Sequence, residues 1–158
     1  MKKICERGLN WFQIYDYRGN VRQCSWTEDG YIGNLQDNTV YEVYHSKEAQ
    51  KIRNRLTSGD YSLCKVDACP YLAMNEIEEH LLEYEDTPKY PTELYLGFER
   101  VCNYACTCCG IHKQMMEEKN ENLEVHYAKI EERLQPLLPH LKKIGANGCG
   151  ELFCSKHT

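Results

Sequence analysis

Two mainly apolar runs on either side of a polar turn near the start of the chain predict a β-hairpin. Residues 11–17 are rich in aromatic and β-branched side chains, which favour extended backbone. Arg18, Gly19 and Asn20 follow as a turn signal, and residues 21–26 continue as a second run of strand formers. Two such runs joined by a short, glycine-containing turn favour an antiparallel pair.

Helical spacing predicts two helices before the middle of the chain. The first covers residues 46–56, because Ser46 is a favourable N-cap and apolar residues recur every three or four positions. These apolar residues are Ala49, Ile52 and Leu56. A Ser-Gly-Asp turn at residues 58–60 ends this helix. A second, shorter helix is expected at residues 71–83.

The last third of the chain has the element order of a β-α-β unit. Residues 86–92 are polar and contain two prolines, so we expect a joint between two domains there. Residues 93–99 and 142–147 have the composition of strands, and residues 122–134 have helical spacing that ends before two prolines. This order predicts two parallel strands joined by a crossover helix. The expected fold class is therefore α+β, with a small Cys-rich metal-binding module of hairpin and helices followed by this unit.

The composition adds one expectation, because the chain is poor in aliphatic residues and rich in cysteine. Leu, Ile, Val and Phe make up about one residue in five, near the limit below which chains tend to be disordered. Ten of the 158 residues are cysteines. We therefore expect bound metal to supply part of the stability, since thiolate–metal bonds couple folding to metal binding.

Charge and hydropathy argue against several classes of protein. No apolar run reaches the 18 residues of a membrane span, and a net charge of −5 argues against binding to nucleic acid. The basic N-terminus is not followed by an apolar stretch, so we expect no secretory signal and a cytoplasmic protein. Thiols stay reduced in that compartment, which favours metal or redox chemistry over disulfides.

The densest group of cysteines lies directly after the strand expected at residues 93–99. Cys102, Cys106 and Cys109 are separated by three and then two residues, so a short loop can direct three thiolates at one metal centre. A four-iron cluster held by three cysteines keeps one iron without a protein ligand, and a catalytic metal site needs such an open position. Cys108 is expected not to be a ligand, because adjacent residues rarely both reach one centre.

This Cys-x3-Cys-x2-Cys loop after a strand resembles the signature of the radical S-adenosylmethionine (SAM) superfamily. In that family a Gly-Gly-Glu motif at the end of the second strand binds the amino group of SAM. Here Gly150 and Glu151 match its last two positions, Cys149 replaces the first glycine, and Cys108 replaces an aromatic residue. The resemblance implies that the three loop cysteines bind a [4Fe-4S] cluster and that Gly150 and Glu151 contact SAM. A carboxylate suits this role because it pairs with an ammonium group.

The same resemblance implies an activity and a set of partners. Reduction of the cluster would cleave SAM to methionine and a 5′-deoxyadenosyl radical, which abstracts a hydrogen atom from a substrate. The cofactors supply this chemistry, while the protein binds and orients them. The implied partners are SAM, an electron donor such as flavodoxin or ferredoxin, and a peptide or protein substrate. No residue is assigned a catalytic role of its own.

Four further cysteines lie in the first half of the chain, at positions that suit one shared metal site. They are Cys5, Cys24, Cys64 and Cys69. Their thiolates can form a cage for either zinc or an iron–sulfur cluster. Residues 5–72 resemble the SPASM-type auxiliary-cluster domain that is attached to radical SAM enzymes. The matching features are a Gly-x4-Cys spacing, an Ile-Gly-Asn-Leu segment and a Cys-Pro pair. The resemblance implies one additional [4Fe-4S] cluster, although the module usually follows the SAM domain and here precedes it.

The length limits what the chain is expected to do by itself. The radical SAM fold is a partial barrel of several βα units, and residues 93–158 supply only the first strand, helix and second strand. We therefore expect an auxiliary module at residues 1–85, a linker at 86–92, and a truncated radical SAM domain that is a poor catalyst without the missing units. Two alternatives stay open: a non-enzymatic iron–sulfur protein for electron transfer or redox sensing, and a zinc-binding interaction module.

Overall fold

The computed structural model describes residues 1–97 and 123–146, which form a mixed α+β fold with two sheets. The strands are β1 (Lys2–Cys5), β2 (Trp11–Ile14), β3 (Asn20–Arg22), β4 (Tyr31–Asn34), β5 (Leu81–Tyr84), β6 (Glu93–Leu96) and β7 (Lys143–Ala146). The helices are α1 (Glu6–Asn10), α2 (Val40–Tyr44), α3 (Lys47–Thr57), α4 (Pro70–Ala73) and α5 (Leu123–Leu134). In the described ranges, short 3-10 helices cover Ile77–His80 and Leu138–His140. Among the helices in these ranges, none has the length and hydropathy of a membrane span.

The predicted hairpin is confirmed by the antiparallel pairing of β2 with β3. Its turn needs Gly19, whose φ of +78° is a conformation that residues with side chains rarely adopt. Asp16 fixes the turn further, because its Oδ1 accepts a hydrogen bond from the backbone amide of Asn20 at 3.1 Å. β4 pairs antiparallel with the other edge of β3 and extends the sheet.

Within the described residues, the larger sheet has five strands in the order β4-β3-β2-β6-β7. β6 pairs parallel with both of its neighbours, β2 and β7. The predicted parallel pair is therefore confirmed as β6 and β7, with α5 between them in the chain. The pairing of β2 with β6 places strands from both sides of residues 86–92 in one sheet. The division into domains at that segment stays a prediction.

The helix predicted at residues 46–56 is confirmed as α3. The hydroxyl of Ser46 accepts a hydrogen bond from the backbone amide of Ala49 at 3.1 Å, which satisfies one of the free amides at the start of the helix. The predicted apolar face is buried: Ala49, Ile52 and Leu56 are all less than one tenth exposed. Gly59 follows the helix with a φ of +76° and turns the chain away.

The prediction of a helix at residues 71–83 is wrong, because this segment is divided into α4, a 3-10 helix and the strand β5. Asn75, just after α4, has a φ of +57°, a left-handed conformation that Asn tolerates better than most residues. β5 then pairs antiparallel with β1 at the start of the chain. A pairing between distant segments overrides the local helical spacing here, because β structure depends strongly on its neighbours.

A continuous group of buried apolar side chains connects the sheet to the helices of the described residues. β2 contributes Phe12 and Ile14, neither of which has any exposed surface. α5 confirms the helix predicted at residues 122–134 and contributes Tyr127, Ile130 and Leu134 to the core. Val125 and Ala128, which belong to the apolar pattern that predicts this helix, are exposed instead. The strands that lead to the cysteines and the β6-α5-β7 unit therefore pack on one core.

Candidate metal centre

The fold brings together four cysteines that are far apart in the chain. Cys5 is the last residue of β1, and Cys24 lies in the loop after β3. Cys64 forms an isolated antiparallel bridge with Thr27. Cys69 is the residue before α4, which begins with a proline whose missing amide costs that position nothing.

The loop after β3 holds Cys24 close to the segment that contains Cys64. The buried hydroxyl of Thr27 donates a hydrogen bond to the carbonyl oxygen of Cys24 at 2.8 Å. The backbone amide of Lys65 donates to the carbonyl oxygen of Trp26 at 2.7 Å. Backbone hydrogen bonds therefore join the two cysteine-bearing loops on either side of the Thr27–Cys64 bridge.

The four thiols line one cavity, which is partly open to solvent. None of the four is in a disulfide. Much of the remaining wall is apolar or aromatic, with contributions from Trp26, Leu56 and Tyr61. Of the described residues that line the cavity, Arg7 alone has a permanent charge. The site is therefore a set of four soft ligands in surroundings of low polarity.

Burial raises the pKa of three of these thiols. It raises the pKa of Cys24 to about 11 and that of Cys64 to about 12, and the pKa of Cys5 is raised as well. The negative charges of neighbouring thiolates raise the three values further, whereas hydrogen bonds from the backbone amides of Arg7 and Gly8 lower the pKa of Cys5. The three thiols are therefore protonated at neutral pH in the metal-free protein, and metal binding releases their protons.

Two kinds of metal centre use four cysteine ligands, and they differ in how closely the sulfur atoms surround the metal. Within residues 1–97 and 123–146, no three His, Cys, Asp or Glu side chains are arranged to hold a single metal ion. A structural zinc ion needs all of its sulfur ligands at about 2.3 Å. The cysteines of an iron–sulfur cluster bind different irons, so they surround a larger body. Four cysteines around a shared cavity are a ligand set that both kinds of centre use.

Arg7 belongs to this site although no sequence pattern predicted it. Its guanidinium carbon lies 3.8 Å from the ring centre of Trp11 and 3.8 Å from that of Trp26. Its Nε donates a hydrogen bond to the hydroxyl of Tyr71 at 3.3 Å. Trp11 also stacks on Tyr95 of β6, with ring centres 3.5 Å apart. The only signal in the sequence is an arginine two residues after a candidate ligand.

The remaining candidate site residues lie outside the described residues. They are Cys102, Cys106 and Cys109, expected to bind the SAM-associated cluster, and Gly150 and Glu151, expected to contact SAM. Their roles stay predictions. The strands β6 and β7, which precede these two groups in the chain, are both present in the structure.

Comparison with protein families matches residues 5–70 to SPASM, an iron-sulfur cluster-binding domain. All four cysteines of the cavity lie in the matched range, whereas β6, α5 and β7 lie beyond it. Comparison with curated proteins and with solved structures gives no match. The family match thus supports iron–sulfur cluster binding by the part of the chain that contains the cavity.

Proposed function

We propose that the N-terminal part of the chain binds one [4Fe-4S] cluster through Cys5, Cys24, Cys64 and Cys69. The observation that carries this proposal is the meeting of four free thiols at one cavity. The match of residues 5–70 to an iron–sulfur cluster-binding domain supports it independently. Four cysteine thiolates are a common ligand set for such clusters, and the apolar wall limits the access of water.

The backbone around the cysteines suits this role. The backbone amides of Arg7 and Gly8 lower the pKa of Cys5, and the amide of Trp26 lowers that of Cys24. Amide groups near a sulfur favour the thiolate form, which is the form that binds iron. The chain therefore offsets part of the cost of deprotonating buried thiols before any metal is bound.

We further propose that the chain is part of a radical SAM enzyme that modifies a peptide or protein. SPASM domains are typical of radical SAM proteins, and the parallel order β6-α5-β7 is the one expected around a SAM-associated cluster loop. In this proposal Cys102, Cys106 and Cys109 hold a second [4Fe-4S] cluster, and Gly150 and Glu151 contact SAM. Bound cluster and SAM together supply a reductively generated 5′-deoxyadenosyl radical. The electron donor would be a protein such as flavodoxin or ferredoxin.

Anaerobic reconstitution with iron and sulfide tests both cluster assignments. The parent chain is expected to hold about eight irons, and a chain with one site removed about four. The Cys64→Ala/Cys69→Ala variant removes the N-terminal site, and the triple alanine variant of the 102–109 loop removes the other. Cys154→Ala changes a cysteine without a predicted ligand role and serves as the matched control. Its iron content is expected to equal that of the parent.

The same preparations separate the competing functions. A colourless protein that takes up zinc and no iron would refute the cluster proposal and support a zinc-binding interaction module. Release of 5′-deoxyadenosine from SAM on reduction would support the radical SAM proposal. Because the truncated domain is expected to be a poor catalyst, binding of SAM is tested as well: reduced clusters that form no 5′-deoxyadenosine and whose electron paramagnetic resonance SAM leaves unchanged would support an electron-transfer protein instead.

A further inference from the structure

Arg7 is held at the wall of the cysteine cavity by two indole rings. Its guanidinium carbon is 3.8 Å from the ring centres of both Trp11 and Trp26. Cation–π contacts on two sides hold a planar guanidinium far more firmly than contact on one side. The charge of Arg7 therefore has a fixed position beside the four cysteines.

A chain of hydrogen bonds fixes the same side chain from its other end. Nε of Arg7 donates to the Tyr71 hydroxyl at 3.3 Å, and that hydroxyl donates to Oε1 of Glu6 at 2.6 Å. The same Glu6 oxygen lies 3.2 Å from Nδ1 of His80, whose ring stacks on Tyr71 with centres 3.6 Å apart. These contacts engage Nε of Arg7 rather than its two terminal nitrogens, Nη1 and Nη2.

One of these terminal nitrogens has no partner. Nη1 of Arg7 is buried and makes no hydrogen bond to any of the described residues. A buried N–H group without an acceptor is unfavourable, and such a group in a native structure calls for an acceptor that completes it. Arg7 lines the cavity together with the four thiols. The sulfur atoms of a cluster bound there are acceptors of the kind that Nη1 lacks.

We propose that Nη1 of Arg7 donates a hydrogen bond to a sulfur of the cluster and that this arginine raises the reduction potential of the cluster. This inference rests on the proposed binding of a cluster by the four cysteines. Reduction adds one electron to the cluster, and a fixed positive charge in surroundings of low polarity stabilises the added negative charge. Hydrogen bonds to cluster sulfurs are a known determinant of cluster potential.

The test is a redox titration of the full chain, followed by electron paramagnetic resonance. The triple alanine variant of the 102–109 loop serves as the parent, so that only the N-terminal cluster contributes to the signal. Arg7→Gln is expected to lower the equilibrium constant for reduction by at least tenfold, which is about 59 mV for one electron. Arg7→Lys keeps the charge without the planar fork and is expected to give a smaller decrease.

Arg22→Gln is the matched control. Arg22 also lies over two aromatic rings, 5.0 Å from Tyr15 and 4.8 Å from Tyr31, and its Nε is also buried without a hydrogen-bond partner. It does not line the cysteine cavity. The potential of this variant is therefore expected to equal that of the parent, and a shift as large as that of Arg7→Gln would overturn the proposal.

The remaining outcomes separate this inference from the proposed function. If the parent binds no cluster, the proposed function fails before Arg7 is tested. If the parent and Arg7→Gln bind a cluster with the same potential, Arg7 has a packing role only and the inference is wrong. If Arg7→Gln does not take up iron, Arg7→Lys decides: a lowered potential supports the hydrogen bond, and an unchanged potential refutes it.

Discussion

Tyr44 links the stability of the N-terminal part of the chain to alkaline pH. Its side chain has no exposed surface, and its hydroxyl donates a hydrogen bond to the carbonyl oxygen of Leu9 at 2.5 Å. Burial raises the pKa of Tyr44 from 10.0 to about 12. Leu9 belongs to α1, the helix that also contains Arg7. Tyr44→Phe keeps the ring and removes both the hydrogen bond and the titrating group.

The raised pKa of Tyr44 determines how its contribution to the unfolding free energy changes with pH. A phenol with a raised pKa in the folded state favours the neutral form, so its contribution is complete below pH 10 and is lost as the pH rises through about 12. Two pKa units correspond to about 2.7 kcal/mol, of which about 1.4 kcal/mol is lost at pH 11. Near pH 8 the lost hydrogen bond costs Tyr44→Phe about 1 kcal/mol of unfolding free energy. The advantage of the parent at pH 8 is therefore expected to disappear at pH 11.

Urea unfolding of the reduced, metal-free protein, followed by circular dichroism at pH 8 and pH 11, measures this difference. Tyr41→Phe is the control, because Tyr41 lies on the same helix α2 but is 47% exposed. The difference between parent and Tyr41→Phe is expected to be the same at both pH values. If the advantage of the parent over Tyr44→Phe is also unchanged at pH 11, the assigned burial of this phenol is wrong.

Three further predictions concern the cap, the hairpin turn and the metal. Ser46→Ala removes the cap of α3 and is expected to lower the unfolding free energy by about 1 kcal/mol in urea titrations. Gly19→Ala places a side chain at φ +78° and is expected to lower the unfolding free energy by about 1–2 kcal/mol. We also expect this variant to bind less iron per chain. Gly59→Ala has a similar φ of +76° but open surroundings, so full iron loading is expected despite comparable strain. Removal of iron by a chelator is expected to lower the melting temperature, since metal binding adds to folding free energy; equal melting of both forms would contradict this.

Features with local causes could be predicted from the sequence. The hairpin turn depends on Gly19 and its immediate neighbours, and the start of α3 depends on a hydroxyl three residues before the amide that it caps. The spacing of Ala49, Ile52 and Leu56 predicted the buried face of that helix, because helical spacing is a property of neighbouring residues alone. The four N-terminal cysteines could be grouped because they bracket these local elements.

Features that depend on distant segments could not be predicted in the same way. β5 forms because it pairs with β1, and the sequence of residues 71–83 contains no local signal that predicts this pairing. The parallel contact of β2 with β6 likewise depends on the whole arrangement of the sheet. Arg7 acquires a position at the cavity only when Trp11 and Trp26, from separate parts of the hairpin, meet on its two faces.

The pairing of β2 with β6 determines what happens when the chain is cut between them. The ladder is extended at both ends, since the amide of Thr92 donates to the carbonyl oxygen of Asn10 at 3.1 Å and that of Gly97 donates to Ile14 at 2.9 Å. Lys89, in the connection before β6, is exposed and open to trypsin. A single cut after Lys89 is therefore expected to leave two fragments joined without a covalent bond, through this ladder and the shared core. Fragments divided at this point are expected to assemble when they are produced separately.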